Sequence, residues 1–234
     1  MKQKTLSSLA AGLLAVAMTL PLPASAAGAK LSDVPQNAWY TAAVEYCWEK
    51  GMMEAADGLE FLPEAPLTRA MVAAALYQIY DRPQVSLERE EFESGTEEDG
   101  APDQQDQALT SPFSDVDLDD PDADAILWAW QEGLVTGYDD GRFGPDDPVT
   151  REQTAAILFR FADWQGRDTS GRAGLEDFRD GDQVSPYARE PVAWAVEAGL
   201  LTGRGEDTLA PGGTASRAET AALLARFSPD QEAA

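Results

Sequence analysis

Three copies of one pattern dominate this sequence and constrain its fold more than any other feature. In each copy a glycine is followed 18 residues later by an arginine, with no insertion in any copy. The glycines are Gly51, Gly133 and Gly199, and the arginines are Arg69, Arg151 and Arg217. A hydroxyl residue precedes each arginine and an apolar run follows it. Such self-similarity is the signature of a repeat architecture.

Each copy predicts two helices joined by a loop. The first helices are expected to end near the shared glycine, and the second to begin near the shared arginine. Glycine and proline in the segment between them prevent one continuous helix. We therefore predict an all-α fold with repeats over 31–80, 113–164 and 178–228. One such repeat buries little alone, so the three are expected to share a core.

Two segments fall outside the repeats. Residues 1–26 combine a basic start, an apolar centre and the cleavage site Ala24-Ser25-Ala26, which predicts a secretory signal peptide and an exported protein. Residues 83–112 are rich in acids, Gln, Pro, Gly and Ser, which predicts a solvated, disordered acidic insert. Only seven residues follow Phe227, so we expect no cargo domain after the third repeat.

The composition excludes several classes of function. The formal net charge of −25 repels nucleic acid and anionic lipid, so any anionic ligand must be held locally at arginines. No histidine is present, which removes the commonest general base and transition-metal ligand. The lone Cys47 cannot form an intrachain disulfide and is expected to be buried. We predict neither an enzyme nor a bound cofactor.

The residues around the shared arginine have a partly structural explanation. Thr150 with Gln153, and Ser216 with Glu219, each form the pattern of a helix-capping box. Met71 breaks this pattern in the first repeat. The arginine itself opposes the helix dipole, so it needs another reason. Either it pairs with a nearby acid, or it awaits an external anion beside free N–H groups of the first turn.

The whole pattern resembles the S-layer homology (SLH) family. The resemblance rests on the opening motif F/L-S-D-V, an aromatic residue, a first helix ending in glycine, a DG-x-F-x-P loop and T-R-A-E, in three tandem copies. It implies three helix-loop-helix repeats around a pseudo-threefold axis. It also implies a cell-surface protein that binds secondary cell-wall polysaccharide non-covalently, through a pyruvate ketal on the terminal sugar.

Carried onto this chain, the resemblance implies a set of ligand-binding residues in grooves between repeats. Arginines would meet the ketal carboxylate, an aromatic side chain would stack on sugar, and aspartates and glycines would shape the groove. These residues are Arg69, Arg151, Arg217, Trp39, Tyr187, Asp33, Asp115, Asp180, Gly137 and Gly203. Several weak sites on one polymer would add retention through avidity.

Departures from the family pattern predict that the three pockets are unequal. Pro121 stands in the second repeat where the others have Trp39 and Tyr187, and Ala55 replaces the glycine in the first repeat. The third repeat has Gly181 in place of the valine and a changed loop, GRGEDTLAP.

Two other functions compete with sugar binding. A structural surface-coat or protein-interaction module would pair all three arginines internally and would have surface proteins as partners. A calcium loop over residues 115–124 has alternating aspartates, but Asp120 replaces the turn glycine and Ile126 the terminal glutamate. An exposed acidic loop is the better interpretation of that segment.

Overall fold

The structure is a computed structural model, and it describes residues 30–56, 58–85, 111–205 and 207–228. The predicted signal peptide and most of the predicted acidic insert lie outside these residues. The described part of the chain forms six α-helices, which we number in chain order. They are α1 (Thr41–Glu49), α2 (Arg69–Ile79), α3 (Ala123–Gln131), α4 (Arg151–Trp164), α5 (Arg189–Glu197) and α6 (Arg217–Phe227).

The all-α prediction is confirmed, and the helix boundaries follow the predicted signals. Each second helix begins at the shared arginine with the preceding hydroxyl residue as N-cap. Capping boxes are present at Thr150 and Ser216, whereas Thr68 caps α2 without a reciprocal bond from Met71. The first helices end at the residue before the C-cap, and Gly51, Gly133 and Gly199 follow with positive φ. In the described residues, three short 3-10 helices lie between α4 and α5, at Leu175–Asp177, Gly181–Gln183 and Pro186–Ala188.

Packing between the repeats follows a closed cycle. Helix α2 packs on α3, α4 packs on α5, and α6 packs on α1, so each repeat contacts the next and the third returns to the first. The segments before the second helices also bond cyclically. Val149 N–H donates to the Leu67 carbonyl (3.0 Å), Leu67 N–H to the Ala215 carbonyl and Ala215 N–H to the Val149 carbonyl (both 2.9 Å). A pseudo-threefold axis through this cycle stays a prediction.

One shared core fills the interior, as the length of a single repeat predicted. Its large, fully buried side chains include Phe61, Phe143 and Phe161, which come from the first and second repeats. Cys47 is buried as predicted, and its thiol lies near the Ala221 carbonyl of the third repeat. Burial raises the pKa of this thiol to about 12. The side chain therefore behaves as an apolar core residue.

None of the helices in the described ranges has the length and apolar character that a membrane span needs.

Candidate ligand-binding groove

Each shared arginine reaches out of its own repeat into the loop of the next one. Arg69 donates from Nε to the Phe143 carbonyl (2.8 Å) and from Nη2 to the Thr136 carbonyl (2.5 Å). The other two arginines bond the matching carbonyls of the following repeat in the cycle. Arg151 bonds Leu209 and Thr202 (both 2.7 Å), and Arg217 bonds Phe61 (2.7 Å) and Glu54 (2.5 Å). The arginines therefore link neighbouring repeats through these hydrogen bonds.

The three copies differ in what surrounds the rest of the guanidinium group, including its third nitrogen, Nη1. Arg151 Nη1 lies 3.1 Å from a carboxylate oxygen of Glu219, whereas Arg217 Nη1 lies 3.3 Å from the sulfur of Met71. The guanidinium of Arg69 lies over the ring of Tyr138, 4.9 Å from its centroid. Arg151 and Arg217 are only 5% and 4% exposed, and this burial lowers the pKa of both guanidinium groups.

The sequence offered two interpretations of the shared arginine: pairing with a nearby acid, or binding an external anion beside free N–H groups. Neither describes all three copies. Among the described residues, Arg151 is the one copy that pairs with an acid, Glu219. The expected free N–H groups of the first helical turn are not available to an external anion. The amides of Arg151 and Glu152 donate to the Gly213 and Pro211 carbonyls of the neighbouring loop (2.9 and 3.1 Å), and the other two copies repeat this arrangement. The proline shared by all three loops thus supplies a carbonyl that satisfies the next helix.

The three opening aspartates clamp the loops that hold these arginines. Asp115 accepts from the amides of Phe143 (2.7 Å) and Gly144 (2.8 Å). The same pair of bonds recurs from Asp33 to Phe61 and Leu62, and from Asp180 to Leu209 and Ala210. In each copy, the first of the two residues that donate an amide to the aspartate also binds the arginine through its carbonyl. These aspartates therefore hold the loops whose carbonyls bind the arginines, and their part in a ligand site stays a prediction.

The two candidate glycines lie where a side chain would meet the loop. A Cβ at Gly137 would come 2.5 Å from the Phe113 ring and 2.9 Å from the Arg142 carbonyl. A Cβ at Gly203 would lie 3.1 Å from the Thr208 carbonyl, which is a tight contact. The surroundings of Gly137 therefore leave no room for a side chain, and those of Gly203 leave little room.

The candidate aromatic residues are exposed and differ in their surroundings. Trp39 is 66% exposed and stands edge-on to Tyr40, with ring centroids 5.3 Å apart. Tyr187 is 53% exposed, and its hydroxyl donates to Glu152 (3.3 Å). Burial and then the negative charge of Glu152 raise the pKa of Tyr187. Pro121 is exposed at the matching position of the second repeat and offers no aromatic face.

Parts of all three repeats line one groove, which has a volume of about 700 Å³. The first repeat contributes Trp39, the second contributes Arg151 at the start of α4, and the third contributes the loop around Gly203 with part of α6. The ionisable residues lining it are three arginines and two glutamates, giving a net charge of +1. They are Arg151, Arg204, Arg226, Glu64 and Glu219. This groove brings together three of the candidate residues: Trp39, Arg151 and Gly203.

A carboxylate joins two arginines on the wall of this groove. Glu219 accepts from Nε and Nη2 of Arg204 (both 2.5 Å) as well as from Arg151, and its Oε2 accepts from the Ser216 amide (3.1 Å). Burial alone would raise the pKa of Glu219, but the bonds from Arg204 and Ser216 and the charge of Arg151 hold it below its usual value. Sequence reasoning missed Arg204, because it lies in the loop that departs from the family pattern.

In the acidic segment over 115–124, aspartate side chains accept hydrogen bonds from backbone amides of the same segment. Besides Asp115, whose carboxylate clamps the loop near Phe143, Asp120 accepts from the Asp117 amide (2.8 Å) and Asp117 accepts from the Asp119 amide (3.1 Å). Over the described ranges, no cluster of three or more potential ligand side chains has the arrangement of a metal site. These contacts support the interpretation of residues 115–122 as an acidic loop, whereas Ala123 and Asp124 already belong to α3.

Comparison with known proteins follows the same three repeats. The chain matches the family model described as "S-layer homology domain" over residues 30–71, 112–155 and 177–221. It is 27% identical to an amylopullulanase of Thermoanaerobacterium thermosulfurigenes, over 82% of this chain and 9% of that protein. It is 25% identical to an S-layer protein of Bacillus thuringiensis subsp. finitimus, over 96% of this chain and 25% of that protein.

A third relative is a cellulosome-anchoring protein of Acetivibrio thermocellus, 28% identical over 44% of this chain and 22% of that protein. The chain thus spans a quarter or less of the length of each of these relatives. The repeats and the relatives together show a secreted protein attached to the cell surface. Because the three matches cover more than half of the sequence and coincide with the three structural repeats, the chain belongs to the S-layer homology domain family.

Proposed function

We propose that this protein binds secondary cell-wall polysaccharide non-covalently, by holding the carboxylate of a pyruvate ketal in the groove that contains Trp39 and Arg151. The observation that carries the proposal is the groove itself. It combines an exposed indole with three arginines on a molecule whose formal charge is −25.

The chemistry of the groove fits an otherwise neutral sugar bearing one carboxylate. The ring of Trp39 offers a flat apolar face for the sugar, and guanidinium groups bind carboxylates through paired N–H donors. The negative field of the whole molecule opposes polyanions, so local binding of isolated carboxylates is the mode that this surface favours. The matching faces around Arg69 with Tyr187, and around Arg217, would add weaker contacts along the polymer.

The aspartates and glycines act in this proposal through the shape of the groove. Asp180 holds the loop whose carbonyl at Leu209 orients Arg151, and Gly203 lets that loop turn close to Thr208. Asp33 and Asp115 do the same for the loops around Arg217 and Arg69, where Gly137 has the role of Gly203.

The names of the relatives support an anchoring role without catalysis. A cellulosome-anchoring protein and an S-layer protein share these repeats, whereas the amylopullulanase is matched over only 9% of its length. An anchor needs affinity and retention, which the arginines and the exposed Trp39 of the groove would supply. In this proposal the module acts as a surface anchor, with wall polymer as its partner.

Co-sedimentation with purified wall polymer tests the proposal. The unmodified protein is expected to sediment with intact polymer and to lose most of this binding when the ketal is removed by mild acid. Trp39→Ala should weaken binding to the intact polymer by about two- to tenfold, because contact with an aromatic face contributes about 0.5–1.5 kcal/mol. Trp130→Ala serves as the matched control, since Trp130 packs on Phe113 outside the groove. Equal binding to intact and ketal-free polymer would contradict the proposal.

A second candidate function is a structural surface module without direct sugar binding. One observation favours it: all three shared arginines already have partners inside the molecule. This alternative predicts self-association in the absence of polymer and no effect of ketal removal. Analytical ultracentrifugation of the protein alone, over a range of concentrations, separates the two candidates.

A further inference from the structure

One backbone position carries a different side chain in each repeat, and in two of the three copies that side chain contacts the groove arginine or its partner. The position directly follows Ala55, Gly137 and Gly203. Its amide donates to the carbonyl four residues later at 2.7 Å in all three copies, so the backbone geometry is shared. The residues at this position are Ala56, Tyr138 and Arg204.

The three side chains give the three faces different chemistry. Tyr138 covers the guanidinium of Arg69 with its ring. Ala56 has only a methyl group and adds neither charge nor an aromatic face near Arg217. Arg204 adds a second guanidinium beside Arg151, joined to it through Glu219. Only the groove at Arg151 therefore gains a cation at this position.

Arg204 is better placed than Arg151 to meet a ligand. Arg151 is 5% exposed, and each of its three nitrogens already donates to an acceptor of the third repeat. The side chain of Arg204 is 40% exposed. Its Nε and Nη2 bond Glu219 and the Thr214 carbonyl, and in the described part of the chain no hydrogen bond involves its Nη1.

Glu219 fixes the direction in which Arg204 points. The carboxylate is held by the Ser216 amide within the capping box of α6, so it cannot move without weakening the start of that helix. Its two oxygens bind one edge of the Arg204 guanidinium, which leaves Nη1 as the remaining donor. Gly213 lies beside Nη1, at a distance where a Cβ would be 3.0 Å away. A glycine there keeps this donor uncrowded.

We propose that Arg204 is the residue that contacts the ligand carboxylate in this groove, and that it determines the preference of the groove for ketal-bearing sugar. Arg151 is then a positioning residue, which holds the loop and Glu219 in place. The inference rests on the proposed function and adds to it a ligand contact that lies outside the shared repeat motif.

Binding of polymer with and without its ketal tests this assignment. Arg204→Ala is expected to bind intact polymer about tenfold more weakly than the unmodified protein, because it loses a charge-assisted hydrogen bond. Its binding to ketal-free polymer should stay unchanged, so that discrimination between the two polymers is lost. Arg204→Lys keeps the charge but lacks the planar fork, and should discriminate to an intermediate degree.

Arg142→Ala is the matched control, because it removes an exposed arginine that also pairs with an acid, Asp140, but lies outside the groove. It should bind both polymers as the unmodified protein does. The inference alone is overturned if Arg204→Ala retains the discrimination while Trp39→Ala loses affinity for the intact polymer. If the unmodified protein itself does not discriminate, the proposed function fails and the inference fails with it.

Discussion

At the scale of single residues, an aspartate and an arginine from neighbouring repeats share one peptide group between them. Asp115 binds the amide of Gly144, and Arg69 binds the Phe143 carbonyl of the same peptide group. Both bonds involve a charged side chain, and such bonds contribute about 1.5–3 kcal/mol each when they are sheltered. The peptide at Phe143 is therefore fixed from two sides, and the Phe143 ring is fully buried in the core.

The stability of this clamp can be measured with one substitution. Asp115→Ala should lower the free energy of unfolding by about 2–3 kcal/mol, because two loop amides lose a charged acceptor and the loop no longer presents its carbonyl to Arg69. Urea denaturation followed by circular dichroism measures the change. Asp119→Ala is the control, since Asp119 is exposed and its side chain makes none of the loop bonds. Equal midpoints for the two variants would refute the clamp.

The sequence identified the charged residues as candidates for the site, but it did not identify their hydrogen-bond partners. The shared spacing identified Asp115 and Arg69, and family resemblance assigned both to a groove. Their partners are backbone groups 28 and 74 residues away, which no local pattern can indicate. Arg204 could not be selected at all, because it occupies a position where each repeat has a different residue. Packing between repeats brings Arg69 to Phe143, whereas Asp115 reaches Phe143 through the fold of its own repeat.

At the scale of elements, the second helices differ in how their first turn is capped. Helices α4 and α6 have complete capping boxes, in which a side chain at the third helical position accepts from the N-cap amide. In α2 the matching residue is Met71, so only the bond from its amide to the Thr68 hydroxyl is formed (3.3 Å). The helix boundaries were predictable because these caps are local. The contact of Met71 with Arg217 was not, because it joins the first and third repeats.

Completing the missing cap should stabilise the protein. Met71→Glu would supply the acceptor for the Thr68 amide and place a carboxylate beside Arg217, as Glu219 stands beside Arg151. We expect a gain of about 0.5–1 kcal/mol, measured as an increase in the urea midpoint. Met71→Gln separates the two effects, because it restores the cap without the charge. A decrease for both variants would show that the apolar packing of Met71 against the core matters more.

At the scale of the whole molecule, the contacts close a cycle, because the third repeat bonds back to the first. A linear array would leave its terminal repeats with one neighbour each and could unfold from its ends. Here Arg217 joins α6 to the carbonyls of Phe61 and Glu54, and Leu67 accepts from Val149 while donating to Ala215. Each repeat therefore has two neighbours, and we expect the three to unfold as one unit.

Breaking the contact that closes the cycle tests whether the three repeats unfold together. Arg217→Ala removes a buried guanidinium and leaves two buried or half-buried carbonyls without their donors, so we expect a loss of about 3 kcal/mol. Because every repeat depends on both neighbours, calorimetry should still show one transition at a lower temperature, with equal calorimetric and van't Hoff enthalpies. Arg142→Ala, which removes an exposed arginine, should change the midpoint little. Two separated transitions in the Arg217 variant would contradict this expectation, because they would mean that the remaining contacts do not couple the repeats once the closing contact is lost.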